Sequence, residues 1–212
     1  MKRLPLLLIA FTFMAAPFVA ADTIQLSSNN LGINGTVATA TITQMGVDQV
    51  LVTIDAASGY SLKVNGGSVA LNSTLGLSAS SISNLTIVAG GTTFTGLNFG
   101  QFQTGKNVSQ FGIFSYDLHN LKGGPHGTTS ASEISFVLTA SGLTPQNLLD
   151  PNSSNQIGVH FCAGDGTNCS GSTGFAVGGG QAIPSVPEPG TLSLLGTGLL
   201  GVIGVARRKL GV

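Results

Sequence analysis

The sequence predicts an all-β protein: a single antiparallel β-sandwich, jelly-roll or Ig-like, over residues 22–183, followed by one C-terminal transmembrane helix. Three observations carry the β assignment. Apolar and β-branched residues alternate with polar ones in seven short runs, at 36–42, 49–56, 82–88, 92–99, 110–116, 134–140 and 157–163. Turn-forming residues punctuate the runs: Gly46, Ser58 with Gly59, Asn65 with Gly66 and Gly67, Gly90 with Gly91, Gly123 with Gly124 and Pro125, and Ser141 with Gly142. Helix-like patterning is confined to 144–149.

Taken in chain order, 36–42 places Val37, Thr39 and Thr41 on a period of two, and 49–56 places Val50, Val52 and Ile54 on one face. Asn65 and Gly66 both tolerate positive φ, which predicts a hairpin corner. The later runs read the same way, and at 144–149 Thr144 suits an N-cap with Pro145 at the first helical position. No repeat at a fixed period interrupts the pattern. The chain has no Trp and only 6% aromatic residues, so its core rests on Val, Ile, Leu and Phe.

The two ends differ from the middle. Lys2 and Arg3 precede an uncharged apolar stretch over 4–19, and Val19, Ala20 and Ala21 are small residues suited to signal peptidase. Residues 1–21 are thus expected to be a signal peptide, cleaved after Ala21; Pro5, Pro17 and the small-residue end disfavour an uncleaved anchor. At the other end, residues 184–190 form a linker that holds Val186, Pro187, Glu188 and Pro189. The two prolines lack a backbone N–H and keep that stretch extended, the form a processing enzyme threads into its cleft. Residues 191–206 are uncharged and apolar. As a helix they would reach about 24 Å against a hydrocarbon core of about 30 Å. Snorkelling by Arg207 and Arg208, or local thinning of the bilayer, covers the deficit. Arg207, Arg208 and Lys209 mark 207–212 as a cytoplasmic basic tail by the positive-inside rule.

The ordered tail, Val186 to Pro189, then the apolar run, then Arg207, Arg208 and Lys209, resembles the PEP-CTERM sorting signal of Gram-negative bacteria. The resemblance implies sorting to the cell surface and cleavage near Pro187–Pro189 by an exosortase, a membrane-embedded cysteine protease. A plain single-pass anchor would not need the Pro-Glu-Pro segment, and a GPI signal normally ends in its apolar tail. The middle is similar to the β-rich ectodomains found upstream of such tails, at 41–46, 50–53, Gly59 with Tyr60, 111–114, 134–137, 160–163 and Thr173 with Gly174. Those ectodomains bring no activity that transfers.

Removing the two ends unmasks an acidic middle. The formal charge of zero splits into basic ends and a mature segment over 22–188 with three lysines (63, 106, 122) against eight carboxylates, a balance of −5. A chain with no basic patch does not bind nucleic acid by neutralising phosphates. Cys162 and Cys169 close an eight-residue segment and, in a translocated chain, predict a disulfide over a metal site built with His160. Asp165, Asn168 and Ser170 supply oxygen atoms to that loop, but without the alternating acidic pattern of a calcium loop they read as a solvated turn. His119 and His126 sit near Asp117, yet no G-x-S-x-G elbow or H-E-x-x-H helix selects them for catalysis. Six Asn-x-Ser/Thr triplets, at Asn34, Asn72, Asn84, Asn107, Asn152 and Asn168, follow from the Asn, Ser and Thr content.

The expectation is a non-catalytic exported surface or matrix protein with no cofactor. It uses signal peptidase and an exosortase as processing partners and passes through the inner membrane, while the family resemblance implies association with exopolysaccharide and biofilm. Two other readings compete. A carbohydrate-binding module would stack sugars on Tyr60, Tyr116 and Phe side chains, weakened by the lack of Trp. A surface hydrolase would need Asp117, His119 and Glu133 to converge.

Overall fold

Residues 21–122, 129–164, 166–179 and 183–184 are described by a computed structural model. Among them the chain runs β1 (Ala21–Leu26), β2 (Ser28–Asn29), β3 (Ala38–Gly46), β4 (Gln49–Ala56), β5 (Ser61–Lys63), β6 (Ser68–Leu71), a 3₁₀ turn (Ala79–Ser81), β7 (Ile82–Ala89) and β8 (Thr92–Val108). It continues through β9 (Gly112–Lys122), β10 (Ser130–Ala131), β11 (Glu133–Thr139), helix α1 (Pro145–Leu148), β12 (Ile157–Cys162), β13 (Thr173–Gly178) and β14 (Ile183–Pro184). The protein is all-β, as its alternating runs predict.

Every strand pair is antiparallel, and hydrogen bonds link the strands into one sheet. One half has the order β14-β1-β3-β4-β11-β7-β8. The other runs β8-β9-β6-β12-β13-β2, with β5 on the same side of β12 as β6, and β10 beside β5. The long strand β8 belongs to both halves: its start pairs with β7, and residues 98–108 pair with β9. Sequence periodicity predicts that this strand stops at 99 and that a new one opens at 110. The ladder instead runs unbroken in register from Asn98↔Lys122 to Val108↔Gly112. Gly96 (φ 71°) and Gly105 (φ 63°) take left-handed conformations inside the strand, which glycine adopts without strain.

The inward faces explain the registers. In β4, Val50, Val52 and Ile54 are fully buried, as their spacing predicts. In β3 it is Ala38, Ala40 and Ile42 that turn inward, with Val37 buried just before the strand, while Thr39 and Thr41 are half-buried on the opposite side. Ala40 opposes Ile54 and Ile42 opposes Val52 across the pair. β11 lies between β4 and β7 and sends Ile134, Phe136 and Leu138 into the core. Val69, Leu71, Leu118, Val159 and Phe161 from the other half enter the same core. Phe99 and Phe136 meet edge to face at 5.5 Å, which ties β8 to β11. Burying each such side chain stabilises the fold by about 1.5–3 kcal/mol.

Two turn predictions have different outcomes. Gly90 and Gly91, at φ 58° and 74°, close a two-residue hairpin between Ala89 and Thr92, the type I′ geometry that needs positive φ twice. Asn65 and Gly66 also form a turn, but not the expected hairpin corner: β5 and β6 do not pair with each other. Both pair with β12, where Leu62 opposes Phe161 and Val69 opposes Val159. Residues 63–68 therefore loop out of a line that would otherwise be continuous. Gly67 permits the loop, since a Cβ there would fall on the Lys63 carbonyl. The predicted helix forms over Pro145–Leu148, with the Thr144 N–H donating to Asn147 Oδ1 at 2.7 Å.

One strand pair is electrostatically unfavourable. Glu133 lies directly opposite Asp55, and like charges facing across a ladder destabilise it. Glu133→Lys replaces the repulsion by a cross-strand ion pair. It is expected to add about 0.5–1 kcal/mol, a rise of roughly 2–3 °C in melting temperature, measured by thermal unfolding at neutral pH. An unchanged or lower melting temperature would show that the pair contributes nothing.

The transmembrane helix expected at 191–206 lies outside the described residues. Among the described residues, no helix is long and apolar enough to cross a membrane.

Candidate functional site

The sorting motif residues Val186, Pro187, Glu188 and Pro189 and the basic stop Arg207, Arg208 and Lys209 lie outside the described residues. The described chain ends at β14, whose two residues pair with β1 as Asp22↔Pro184 and Thr23↔Ile183. The point where the signal peptide is expected to end and the strand that leads into the motif are thus neighbours at one sheet edge. The first strand starts at Ala21, one residue before the expected mature start. Burial pushes the Asp22 carboxyl above its usual range.

Cys162 and Cys169 form the predicted disulfide, with Cα atoms 5.7 Å apart. Its loop is a clamp. Ser61 Oγ donates to Gly164 O at 2.7 Å and Ser130 Oγ donates to Gly166 O at 2.9 Å. The N–H groups of Thr129 and Ser130 donate to Thr167 O, and Cys169 N–H donates to Thr129 Oγ1 at 2.9 Å. The carbonyls of Gly164, Gly166 and Thr167 thus bind side chains and backbone of β5 and β10. Asp165, one of the three candidate oxygen ligands of this loop, lies outside the described residues.

Four titratable side chains of the second half, Lys63, Asp117, His119 and His160, gather in one place. Asp117 and His119 alternate on β9, as their spacing predicts, with His119 Nδ1 3.9 Å from Asp117 Oδ2. Asp117 is buried, while the His119 side chain is 32% exposed. His160, on β12, stacks on Phe175 of β13 at 4.5 Å with ring planes 14° apart. The looped-out segment 63–68 lies alongside His160, because residues 159 and 161 hold the strands on either side of it. Burial lowers the pKa of His160, and the charges of Lys63 and His119 lower it further, against a hydrogen bond with the Gly66 backbone.

This has a consequence for stability. A histidine whose folded pKa lies below its unfolded value, about 6.5, is destabilising once protonated. Its contribution is complete above that value and is lost as pH falls through the folded pKa. Asp22 and Asp55 act in the opposite sense: their raised pKa values favour the protonated form in the folded state, so they restore stability on further acidification through the carboxylate range. The melting temperature is expected to fall between about pH 7 and pH 5.5 and to do so less in His160→Gln. Equal slopes in the two proteins would assign the effect elsewhere.

Other candidate residues separate. Glu133 is in register with Asp55 and Val88 in the first half of the sheet, whereas Asp117 is in register with Gln103 and Ala70 in the second. The ladder does not set Glu133 beside Asp117, and His126 lies outside the described residues. Tyr116 is committed to the fold: its hydroxyl donates to Leu75 O at 2.6 Å and accepts from Leu77 N–H at 3.1 Å. Tyr60 is half-buried with its ring edge-on to Phe161 at 6.0 Å. Among the described residues no group of three or more His, Cys, Asp and Glu side chains is placed to hold a metal ion.

Sequence reading missed two features. Lys63 and His160 join Asp117 and His119 only through the register of β12 with β5 and β6, which periodicity does not encode. Asn72 reads as one Asn-x-Ser/Thr triplet among six. It is in fact a bracket: its Nδ2 donates to Asn155 O at 2.6 Å and Ser153 Oγ at 3.0 Å, and its Oδ1 accepts from Ser115 N–H at 2.8 Å.

Comparison with known families places the PEP-CTERM protein-sorting motif at residues 185–209. Neither the curated proteins nor the solved structures give a match to the chain.

Proposed function

We propose that this chain, a carrier of the PEP-CTERM protein-sorting motif, is a non-catalytic surface or extracellular-matrix protein that an exosortase cleaves near Pro187, Glu188 and Pro189. The match at 185–209 is the observation that carries the reading, since the motif implies export toward the cell envelope and exosortase processing. In this proposal signal peptidase removes 1–21, and the apolar run at 191–206 holds the chain in the inner membrane until the sorting cut. The ectodomain then stands at the cell surface or outside it, with the two halves of its sheet as the layers of a sandwich. Association with exopolysaccharide in a biofilm is its proposed setting.

The chemistry of the ectodomain supports a passive or binding role over a hydrolytic one. Asp117 and His119 are adjacent, but Glu133 belongs to a different part of the ladder. Carbohydrate binding is the second reading. It is favoured by the half-buried His160–Phe175 ring pair more than by Tyr60 and Tyr116, because Tyr116 is tied by its hydroxyl to residues 75 and 77 and Tyr60 packs edge-on against Phe161. The test of sorting replaces Pro187, Glu188 and Pro189 with alanines in the native host. The expected product is an uncleaved chain in the membrane fraction that keeps its basic tail. Release at the wild-type level would refute the assignment.

A further inference from the structure

We propose that Lys63, His119 and His160 form a binding site for a carboxylate carried on a hydrophilic polymer, a uronic-acid polysaccharide in chemical class. The inference deepens the surface-protein reading and rests on it.

The mature segment has few cations to place. Its basic side chains are Lys63, Lys106 and Lys122, plus three histidines, in an acidic chain. Among the described residues, Lys63, His119 and His160 converge on one face of the second half-sheet. Phe175 opposes His160 in the ladder of β13 and β12, and His119 opposes Gln101 in the ladder of β9 and β8. Between the two imidazoles the line of β5 and β6 is broken by the loop 63–68, which brings Lys63 and the Gly66 backbone to His160. Like charges gathered in this way repel, and the downward pull of Lys63 and His119 on the His160 imidazole expresses that repulsion. A bound carboxylate removes it. Buried Asp117 lies beside His119 at the edge of this group.

The surroundings fit a sugar rather than a bare ion. Gln101 and Gln103 lie on the same row, their amides joined at 3.1 Å, and offer donors and acceptors to ring hydroxyls. The His160–Phe175 pair gives an apolar edge beside the cations. Among the described residues, the charged or titratable groups facing His160 are Lys63 from β5 and His119, with its neighbour Asp117, from β9; β13 contributes Phe175. The His160 imidazole gains charge as pH falls, so the site takes its anion more tightly in acid, and the ligand raises its proton affinity in return.

The exported protein recovered from its host is applied to immobilised polygalacturonate and to dextran. Binding to polygalacturonate is expected to be roughly tenfold tighter at about pH 5 than at about pH 7.5, with no retention on dextran. Lys63→Gln and His119→Gln, both at partly exposed positions, are expected to weaken binding while keeping the wild-type urea midpoint, and His160→Gln to remove the pH effect. Lys106→Gln removes the same charge from an exposed position on the β8–β9 hairpin and is expected to bind as wild type. Elution by free galacturonate, or only by its oligomers, supports the site and tells a monomer from a polymer ligand. Equal loss in Lys106→Gln, equal retention on dextran, absence of pH dependence, or elution by inorganic phosphate but not galacturonate would each overturn it. Intact masses of the same preparations report the sorting cut separately, so failure of the site and failure of the sorting reading are distinguishable.

Discussion

Replacing Asn72 by alanine is expected to lower the free energy of unfolding by about 2–4 kcal/mol. Its side chain joins three separate segments. One end of the amide donates to Asn155 and Ser153, and the other accepts the N–H of Ser115 at the same point of the sheet. Alanine leaves the partly buried Ser115 N–H without this partner, while the Asn155 carbonyl keeps the Ser153 hydroxyl at 2.9 Å. An orphaned N–H costs about 1–3 kcal/mol where water does not replace the bond, and each lost amide donation about 0.5–1.5 kcal/mol. Backbone bonds from Asn72 N–H to Gln156 O and from Asp150 N–H to Asn72 O, both 2.8 Å, survive the substitution and set its upper limit. Urea unfolding reads the change as a lower midpoint at constant slope. Asn107→Ala is the control: the residue is exposed on the β8–β9 hairpin and should shift stability by less than about 0.5 kcal/mol. Equal midpoints for the two variants would contradict the bracket.

Loss of the disulfide is expected to cost about 2–3 kcal/mol, the chain-entropy value for so short a loop. The effect does not stop at the loop. The carbonyls of 164, 166 and 167 hold Ser61, Thr129 and Ser130, so a loosened loop releases the contacts that secure β10 against β5. Cys162→Ser with Cys169→Ser should therefore lower the melting temperature by roughly 5–10 °C for a domain of this size. Hydrogen exchange should rise first at Thr129 and Ser130. A melting temperature within about 1 °C of wild type would mean that the loop is held by its hydrogen bonds and not by the covalent link.

Legibility in the sequence followed the range of the interactions. β4 was readable because a half-buried strand writes its burial into alternate residues, as Val50, Val52 and Ile54 do. The same holds for the short helix opened by Pro145 and for the Gly90–Gly91 turn, where local sterics decide. Strands of two to four residues, such as β5, β6 and β10, have no room for a period. Their existence depends on β12 being there to pair with or, for β10, on β5. The passage of β8 from one half of the sheet to the other is not written in the alternation, which runs out at 99, because residues 98–108 are held by pairing with β9 and not by a buried face of their own. The candidate sites divide along the same line. The disulfide follows from spacing and compartment, and Asp117 with His119 from a period of two. Their meeting with Lys63 and His160 is a property of the ladder alone.

The account of function turns on the tail, and the fold is consistent with how such a tail would operate. Pairing of β14 with β1 brings the expected signal-peptide junction close to the strand before the motif. The acidic, lysine-poor ectodomain leaves positive charge concentrated at the ends, as the proposed membrane topology requires.

Intact mass of the protein recovered from its native host, with and without reduction and alkylation, tests the central claim most directly. The account predicts a species that begins near Asp22, ends near Pro187–Pro189, and shows Cys162 and Cys169 closed to alkylation until reduced. A species that retains Arg207, Arg208 and Lys209 would contradict it and make the chain a permanently anchored membrane protein.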